Sequence, residues 1–466
     1  MLENFISSVS NALYSYILII LLIAGSIFFT IKTRFVQFRL FGEQLRAVTE
    51  KPGKKGGVSS FQALMVSTAS RVGTGNIIGV STALCLGGFG SVFWMWLIAI
   101  LGSASAFAES TLAQIYKKRG TDSSYGGPAY YIEAAFGSRI PAMVFSVLLL
   151  LTYGFGFNML ASYNLQSTFA HYSFYDPKTT PWIIGLILSS IVLYCLVGGG
   201  KRIINVTTLM VPVMGVAYIA VAIIIVLINY RLLPGIISRI FSEAFDIKAI
   251  MGGFGGSCVM YGIKRGLFSN EAGVGSAPNA SASADVAHPV KQGLVQILSV
   301  FIDTIVVCTA TAFMCMCSGV EPASELSGAP YVQKALFQTL GEFGPVFITA
   351  AMILFAFTTL LGNLYYVDRC LFYMLGKEPG RKLKLVSHII ASVIIFAGSI
   401  LSADLLWNIA DITMGGMTLV NMPVIIYLSK YVFRSLKDYD QKRKKGIEPT
   451  FRARDIGLPH KTDYWN

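Results

Sequence analysis

Arg71-Val-Gly-Thr-Gly-Asn76 lies in the middle of a long apolar run, residues 61–86, and brings together residue types for which a plain membrane-crossing helix has little use. Glycine weakens a helix interior, and a broken helix at membrane depth is tolerated only against protein or a water-filled cavity. If the chain unwinds at Gly73-Thr-Gly75, the freed N–H groups and the positive end of the half-helix that follows suit a carboxylate. The Thr74 hydroxyl adds a donor, and Asn76 offers an amide to a ligand or an ion. Carbonyls just before the break, from Ala69 to Val72, suit a hard cation such as sodium, which takes oxygen ligands. The alternative is a glycine-permitted close crossing of two helices, common in membranes.

A second glycine run, Gly252-Gly-Phe-Gly-Gly256, stands in the other half of the chain. Groups freed at Gly253, Phe254 and Gly255 would meet the amino end of a substrate, with the Phe254 ring as a pocket wall; the alternative is again close helix packing. Thr358 and Thr359 place two adjacent hydroxyls in an apolar segment. They either join a sodium shell or bond back to carbonyls of their own helix. Arg71, Glu109, Asp303, Asp368 and Asp411 fall within or near apolar runs, where charge is costly and marks function or structural pairing. No Walker loop, metalloprotease His-Glu-x-x-His or nucleophile elbow is present, so an enzyme is not expected. Seven cysteines sit mostly inside apolar runs and read as small buried hydrophobes. No organic cofactor is implied.

The elements that must position these residues are helices in a membrane. The chain has 466 residues, 54% of them hydrophobic and 13% charged, against roughly 25% charged in soluble proteins. Runs of about 20 apolar residues recur, each long enough to cross a ~30 Å hydrocarbon layer. Alternating ten-residue strands are missing, which argues against a β-barrel. Eleven spans are expected at 14–32, 61–86, 90–116, 141–170, 181–197, 205–229, 248–266, 290–318, 345–370, 383–401 and 404–429. With the N-terminus outside and the C-terminus inside, the inside segments hold 31 of the 37 Lys and Arg and the outside segments five, Arg71 being the last. The net charge of +13 is thus explained by topology and contact with anionic lipid rather than by nucleic acid.

This organisation gives an N-terminal extra helix and basic loop (1–60), a first repeat (61–229), an extracellular linker (230–247), a second repeat of inverted orientation (248–429) and a basic tail (430–466) that is expected to be mobile. Gly126-Gly-Pro-Ala-Tyr-Tyr131 and the small-residue stretch from Asn270 to His288 are expected as inside linkers. Two discontinuous helices in matching positions of two inverted halves point to a secondary transporter.

Gly87-Gly-Phe-Gly-Ser-Val-Phe-Trp-Met-Trp-Leu-Ile-Ala-Ile-Leu-Gly102 closely resembles the signature of the sodium:alanine symporters, the alanine/glycine:cation symporter family. Gly73-Thr-Gly-Asn76, Gly127-Pro-Ala-Tyr-Tyr131 and Gly266-Leu-Phe-Ser-Asn-Glu-Ala-Gly-Val-Gly-Ser-Ala-Pro278 agree with it, and the resemblance covers roughly residues 60–430. It implies an all-α fold with the five-plus-five inverted repeat of LeuT-like symporters, and uptake of small neutral amino acids driven by sodium at the plasma membrane. It further implies that Thr74 and Gly75 hold the substrate carboxylate, that Asn76 lies at the substrate or an adjacent ion, and that 252–256 is the broken sixth core helix. The Ala69 and Val72 carbonyls with the Thr358 and Thr359 hydroxyls resemble a sodium site. Two positions depart from the family pattern: Leu160-Ala161 stands where Val-Gln is usual, and Asn363 where Trp is usual. The reading is a roomier, more polar pocket that favours glutamine, asparagine or serine over alanine. Rival readings are proton coupling on the same fold, or a nutrient sensor on a transporter scaffold; no obligate protein partner is implied.

Overall fold

The computed structural model describes residues 8–465 apart from 11, 54–56, 121–122, 247–257 and 459–461. Among these residues the chain is helical, its only extended pairings being isolated bridges from Val58 to Ala284 and from Lys118 to Tyr125. In chain order the helices are α1 (Leu18–Lys32), α2 (Ser60–Arg71), α3 (Val80–Gly87), α4 (Gly90–Ile115), α5 (Pro128–Phe136), α6 (Arg139–His171), α7 (Thr180–Val197), α8 (Gly199–Ile228), α9 (Leu233–Ala244), α10 (Cys258–Asn270), α11 (Pro289–Met316), α12 (Ala329–Leu340), α13 (Phe343–Leu375), α14 (Arg381–Gly398), α15 (Ala403–Tyr427) and α16 (Ser429–Lys444). Seven of them (α4, α6, α7, α8, α11, α13 and α15) are long and apolar enough to cross a bilayer, which makes this a multi-pass membrane protein.

Helix α4 is the central post: α1, α10 and α11 pack along it, while α2 is held between α8 and α13. Its glycine- and tryptophan-rich start is a seat for its neighbours. The Glu243 carboxylate accepts hydrogen bonds from the N–H groups of Phe89 (2.6 Å) and Gly90 (3.2 Å), an anion placed on a helix N-terminus. A methyl group on Gly90 would collide with the backbone of Glu243 and Ala244. The indole of Trp94 donates to the Ala244 carbonyl at 3.2 Å, and that of Trp96 to the Thr309 hydroxyl at 2.8 Å. Helix α2 opens with a capping box, Ser59 and Gln62 each satisfying the other's backbone.

Three segments differ from expectation. Residues 270–288 do not form an exposed linker: all but Asp285 and Ala287 are buried. Small side chains allow it, since the backbone at Gly273 runs against Met422 and at Gly275 against Phe145 and Asn421. The 126–129 stretch is buried as well, with Gly126 packed on Ala282 and Lys117. Where it is described, the tail packs on the rest of the protein: α16 is followed by a return in which Phe451, Ala453, Ile456 and Trp465 are buried. Lys264 and Arg265, counted above among the inside charges, lie buried in α10. Removing them from that count leaves its direction unchanged. The glycine run 252–256, with Gly253, Phe254 and Gly255, falls outside the described residues. All seven cysteines are free, and all but Cys85 are buried.

Candidate functional site

Helix α2 stops at Arg71, a π-helical turn spans Gly75–Gly79, and α3 continues from Val80. Across the break Gly73 N–H turns to the side-chain oxygen of Asn76 at 2.8 Å instead of the Ala69 carbonyl. Among the described residues the carbonyls of Ala69 and Val72 consequently receive no backbone N–H across the break, and the N–H groups of Thr74 and Gly75 reach no backbone carbonyl. The glycines are required by proximity rather than by left-handed backbone. A side chain at Gly73 would strike Thr359, and one at Gly75 would strike the Phe268 ring.

A cavity of about 20 Å³ opens at this break. Ser70, Arg71, Gly73, Thr74 and Gly75 form one wall, Phe157, Leu160 and Ala161 of α6 another, and Phe268, Glu271 and Thr359 complete it. That is room for about one water-sized particle. Aromatic side chains beside it form a stack: Phe157 to Phe268 at 4.6 Å between ring centroids, and Phe268 to Trp407 at 4.8 Å. Arg265 lies 3.9 Å from the Trp407 ring centre, and Asp411 meets Lys264 at 2.8 Å and Arg265 at 3.6 Å. Asp411 is thereby the partner of two buried cations.

The expected residues separate by environment. Thr74, Gly75 and Ala161 line the cavity, and the Thr74 hydroxyl accepts from the Asn164 amide at 3.0 Å. Asn76 is fully engaged within the protein. Besides Gly73 N–H, its amide nitrogen donates to Asp303 (2.7 Å) and Ser269 (3.1 Å), and it thus fastens the break to α10 and α11. Asp303 also accepts from Ser269 at 2.6 Å and Thr304 at 2.7 Å. Asn363 lies behind the cavity wall, where it accepts from the Ser70 hydroxyl at 2.6 Å and donates to the Asn158 side-chain oxygen at 3.0 Å.

The two threonines part company. Thr358 donates to the carbonyls of Leu354 (2.9 Å) and Phe355 (3.2 Å) and touches Met214 of α8. The Thr359 hydroxyl is buried without a hydrogen-bond partner and faces Gly73. A buried hydroxyl left unpaired costs free energy unless something fills its shell. The Thr359 hydroxyl and the Ala69 and Val72 carbonyls are each neutral oxygen donors, the kind a small hard cation takes. Among the described residues no group of three or more His, Cys, Asp or Glu side chains could hold a metal.

Arg71 is buried and donates to Gln296 at 2.9 Å, while its Nε and Nη2 have no hydrogen-bond partner. It forms no ion pair among the described residues, although Glu109, Glu271 and Asp303 all feel its charge. Glu109 is held by Asn421 at 2.9 Å, and Asn421 by Tyr131 at 2.6 Å. Glu271 is the cavity-lining carboxylate that the sequence reading missed, as it missed Ser70, Phe157 and Phe268. It sits at φ +52° and accepts from the Ser276 hydroxyl. Its signal was available: a carboxylate inside a run of Gly, Ala and Ser between two apolar helices. Residues 271–275, with Gly273 and Gly275 at φ +84° and +91°, form a buried helix break beside the first one. A much larger cleft, about 910 Å³, is elsewhere, lined by tyrosines and by Lys118, Arg119, Arg139 and Lys430.

A profile of the Sodium:alanine symporter family matches residues 1–453. The chain is 40% identical over 467 residues to the amino-acid carrier protein AlsT of Bacillus subtilis (strain 168), covering 100% of this chain and 98% of AlsT. It is also 40% identical over 452 residues to the probable sodium/glutamine symporter GlnT of the same organism, covering 97% and 93%. Its fold resembles that in the crystal structure of MhsT in complex with L-phenylalanine, a LeuT-fold protein, with a TM-score of 0.59 at 15% identity over 87% of this chain and 96% of that one. The chain therefore belongs to the sodium:alanine symporter family, and it is an amino-acid transporter rather than an enzyme.

Proposed function

We propose that this protein is a sodium-coupled symporter of the plasma membrane that imports small neutral amino acids by alternating access. The observation that carries the reading is the buried Thr359 hydroxyl, which faces Gly73 at the broken helix and has no hydrogen-bond partner among the described residues. Sodium bound there would tie α2 to α13 and hold the break in the shape that presents the Thr74 and Gly75 N–H groups to a substrate carboxylate. Substrate and sodium then raise each other's affinity, since coupling is reciprocal. The full arrangement is eleven spans in an N-terminal helix plus two inverted sets of five, with the N-terminus outside, the tail cytoplasmic, and only lipid and substrate as necessary partners. The second break belongs to the Glu271–Gly275 turn or to the 252–256 run, and the Phe157–Phe268–Trp407 stack must part to admit substrate.

Ala161 in place of a bulkier side chain leaves space for substrates longer than alanine, and the 40% identity to a protein named a probable sodium/glutamine symporter agrees with that preference. The test is uptake of labelled glutamine and alanine into proteoliposomes with and without an inward sodium gradient. Sodium-driven accumulation, glutamine equal to or ahead of alanine, is expected. Uptake that ignores sodium but collapses with an uncoupler would replace sodium by protons. Binding without flux would make the protein a sensor.

A further inference from the structure

We propose that the carboxyl-terminal tail is a latch that holds the near end of α2 closed, and that Tyr464 and Trp465 are its catch. The inference rests on the alternating-access reading only for its consequence in transport; the contacts stand by themselves.

Helix α2 is a rod of 12 residues with a break at one end and a clasp at the other. At the clasp the Val58 carbonyl accepts from Asp285 N–H at 2.9 Å, and the Ser60 hydroxyl accepts from Gln292 at 2.9 Å. Moving this end therefore requires Val58 to leave the segment around Ala284 and Asp285. That segment is held in turn by the tail. Phe451 N–H donates to the Ala287 carbonyl at 3.0 Å, and the Tyr464 hydroxyl donates to the Asp285 carboxylate at 2.9 Å.

Lys117 joins the two sides. Its ammonium donates to the Ala284 carbonyl at 2.9 Å and lies 3.9 Å from the Tyr464 ring centre and 4.9 Å from that of Trp465. A cation between two ring faces is attracted to both, the more so when desolvated, and Lys117 is fully buried. Trp465 donates its indole N–H to the Gln114 carbonyl at 2.6 Å at the foot of α4, and its own carbonyl receives the Ala453 N–H at 3.0 Å. A segment that leaves its last helix stays in place only where side chains tie it down. Here an indole only 7% exposed does so, with its edge against Phe451. The tail thus closes a ring running from Gln114 through Trp465, Tyr464 and Asp285 to Val58. Opening of α2 at this end must break that ring, and anything that releases the tail favours the open state.

The test reads the clasp directly. In full-length protein with Cys85 replaced by Ser (the other six cysteines are buried), Val58→Cys is exposed to a hydrophilic maleimide in detergent. The Tyr464→Ala/Trp465→Ala double variant should label roughly tenfold faster, the shift expected if the closed state loses a tenfold population advantage. Lys117→Met, which keeps both rings but removes the cation, should change the rate in the same direction. Trp465→Phe, which keeps a buried ring and loses the N–H, should lie between and decides the matter if the double variant aggregates. Labelling unchanged in Trp465→Phe and Lys117→Met overturns the latch. Because labelling needs no transport, an absence of sodium-dependent uptake would sink the functional reading and leave this result standing. Unchanged labelling with intact uptake would sink the latch alone.

Discussion

Adjacent residues on a helix point about 100° apart, and that angle divides Thr358 from Thr359. Both hydroxyls were candidates from sequence, with back-bonding as the alternative; Thr358 bonds back to its own turn and Thr359 faces the break. Sequence could nominate the pair but could not orient it, because orientation depends on how α13 is rotated against α2 and α8. The same limit applies to Asn76 and Asn363. Their polarity was legible, but their partners, Asp303, Ser70 and Asn158, lie more than 80 residues away in the chain. Ala161 differs in kind, since it touches the cavity itself. Restoring a long side chain with Ala161→Gln should reduce uptake of glutamine relative to alanine by roughly tenfold, within the ~1–3 kcal/mol that one pocket group contributes to discrimination. Competition assays would read it, and an unchanged substrate ranking would show that Ala161 does not set pocket length.

At the scale of elements, glycine placement marked the first break but missed the reason for several glycines. Gly73 and Gly75 are small because Thr359 and Phe268 come close, a tertiary fact that no local propensity contains. The glycines before the tryptophan pair work in the same way, letting α9 lay Glu243 over the start of α4. Gly90→Ala should push α9 away and lose the two N–H bonds to Glu243, lowering the melting temperature in detergent by an amount equivalent to about 1–3 kcal/mol. A variant as stable as the parent would mean that α9 yields without cost. The long apolar helices were legible because length and hydropathy suffice to recognise them. Residues 270–288 were not, because small polar residues read as linker whether water or protein surrounds them.

For the molecule as a whole, the tail ties together parts that sequence placed in separate blocks. His288 shows how. Its ring lies between Tyr439 and Phe451, its Nδ1 accepts from Val290 N–H at 3.2 Å to cap α11, and its Nε2 meets Asp438 at 3.2 Å. Burial pushes the imidazole below its ordinary value of 6.5, with Asp438 opposing. The folded state therefore favours the neutral ring. Its contribution to stability is complete above pH 6.5 and is lost as the pH falls from there through the lower folded value. Thermal stability should drop as the pH falls below about 6.5, and His288→Asn, which keeps a capping oxygen without a titrating ring, should reduce that drop. An equal drop in the variant would place the acid sensitivity elsewhere. The central claim is that a cation at the first break couples the two halves through Thr359. The most direct test is the sodium activation curve of amino-acid uptake in the parent, Thr358→Val and Thr359→Val proteins. Thr359→Val should raise the half-activating sodium concentration by tenfold or more, about 1.4 kcal/mol of binding, with Thr358→Val shifting it less. Identical curves for Thr359→Val and the parent would contradict the account.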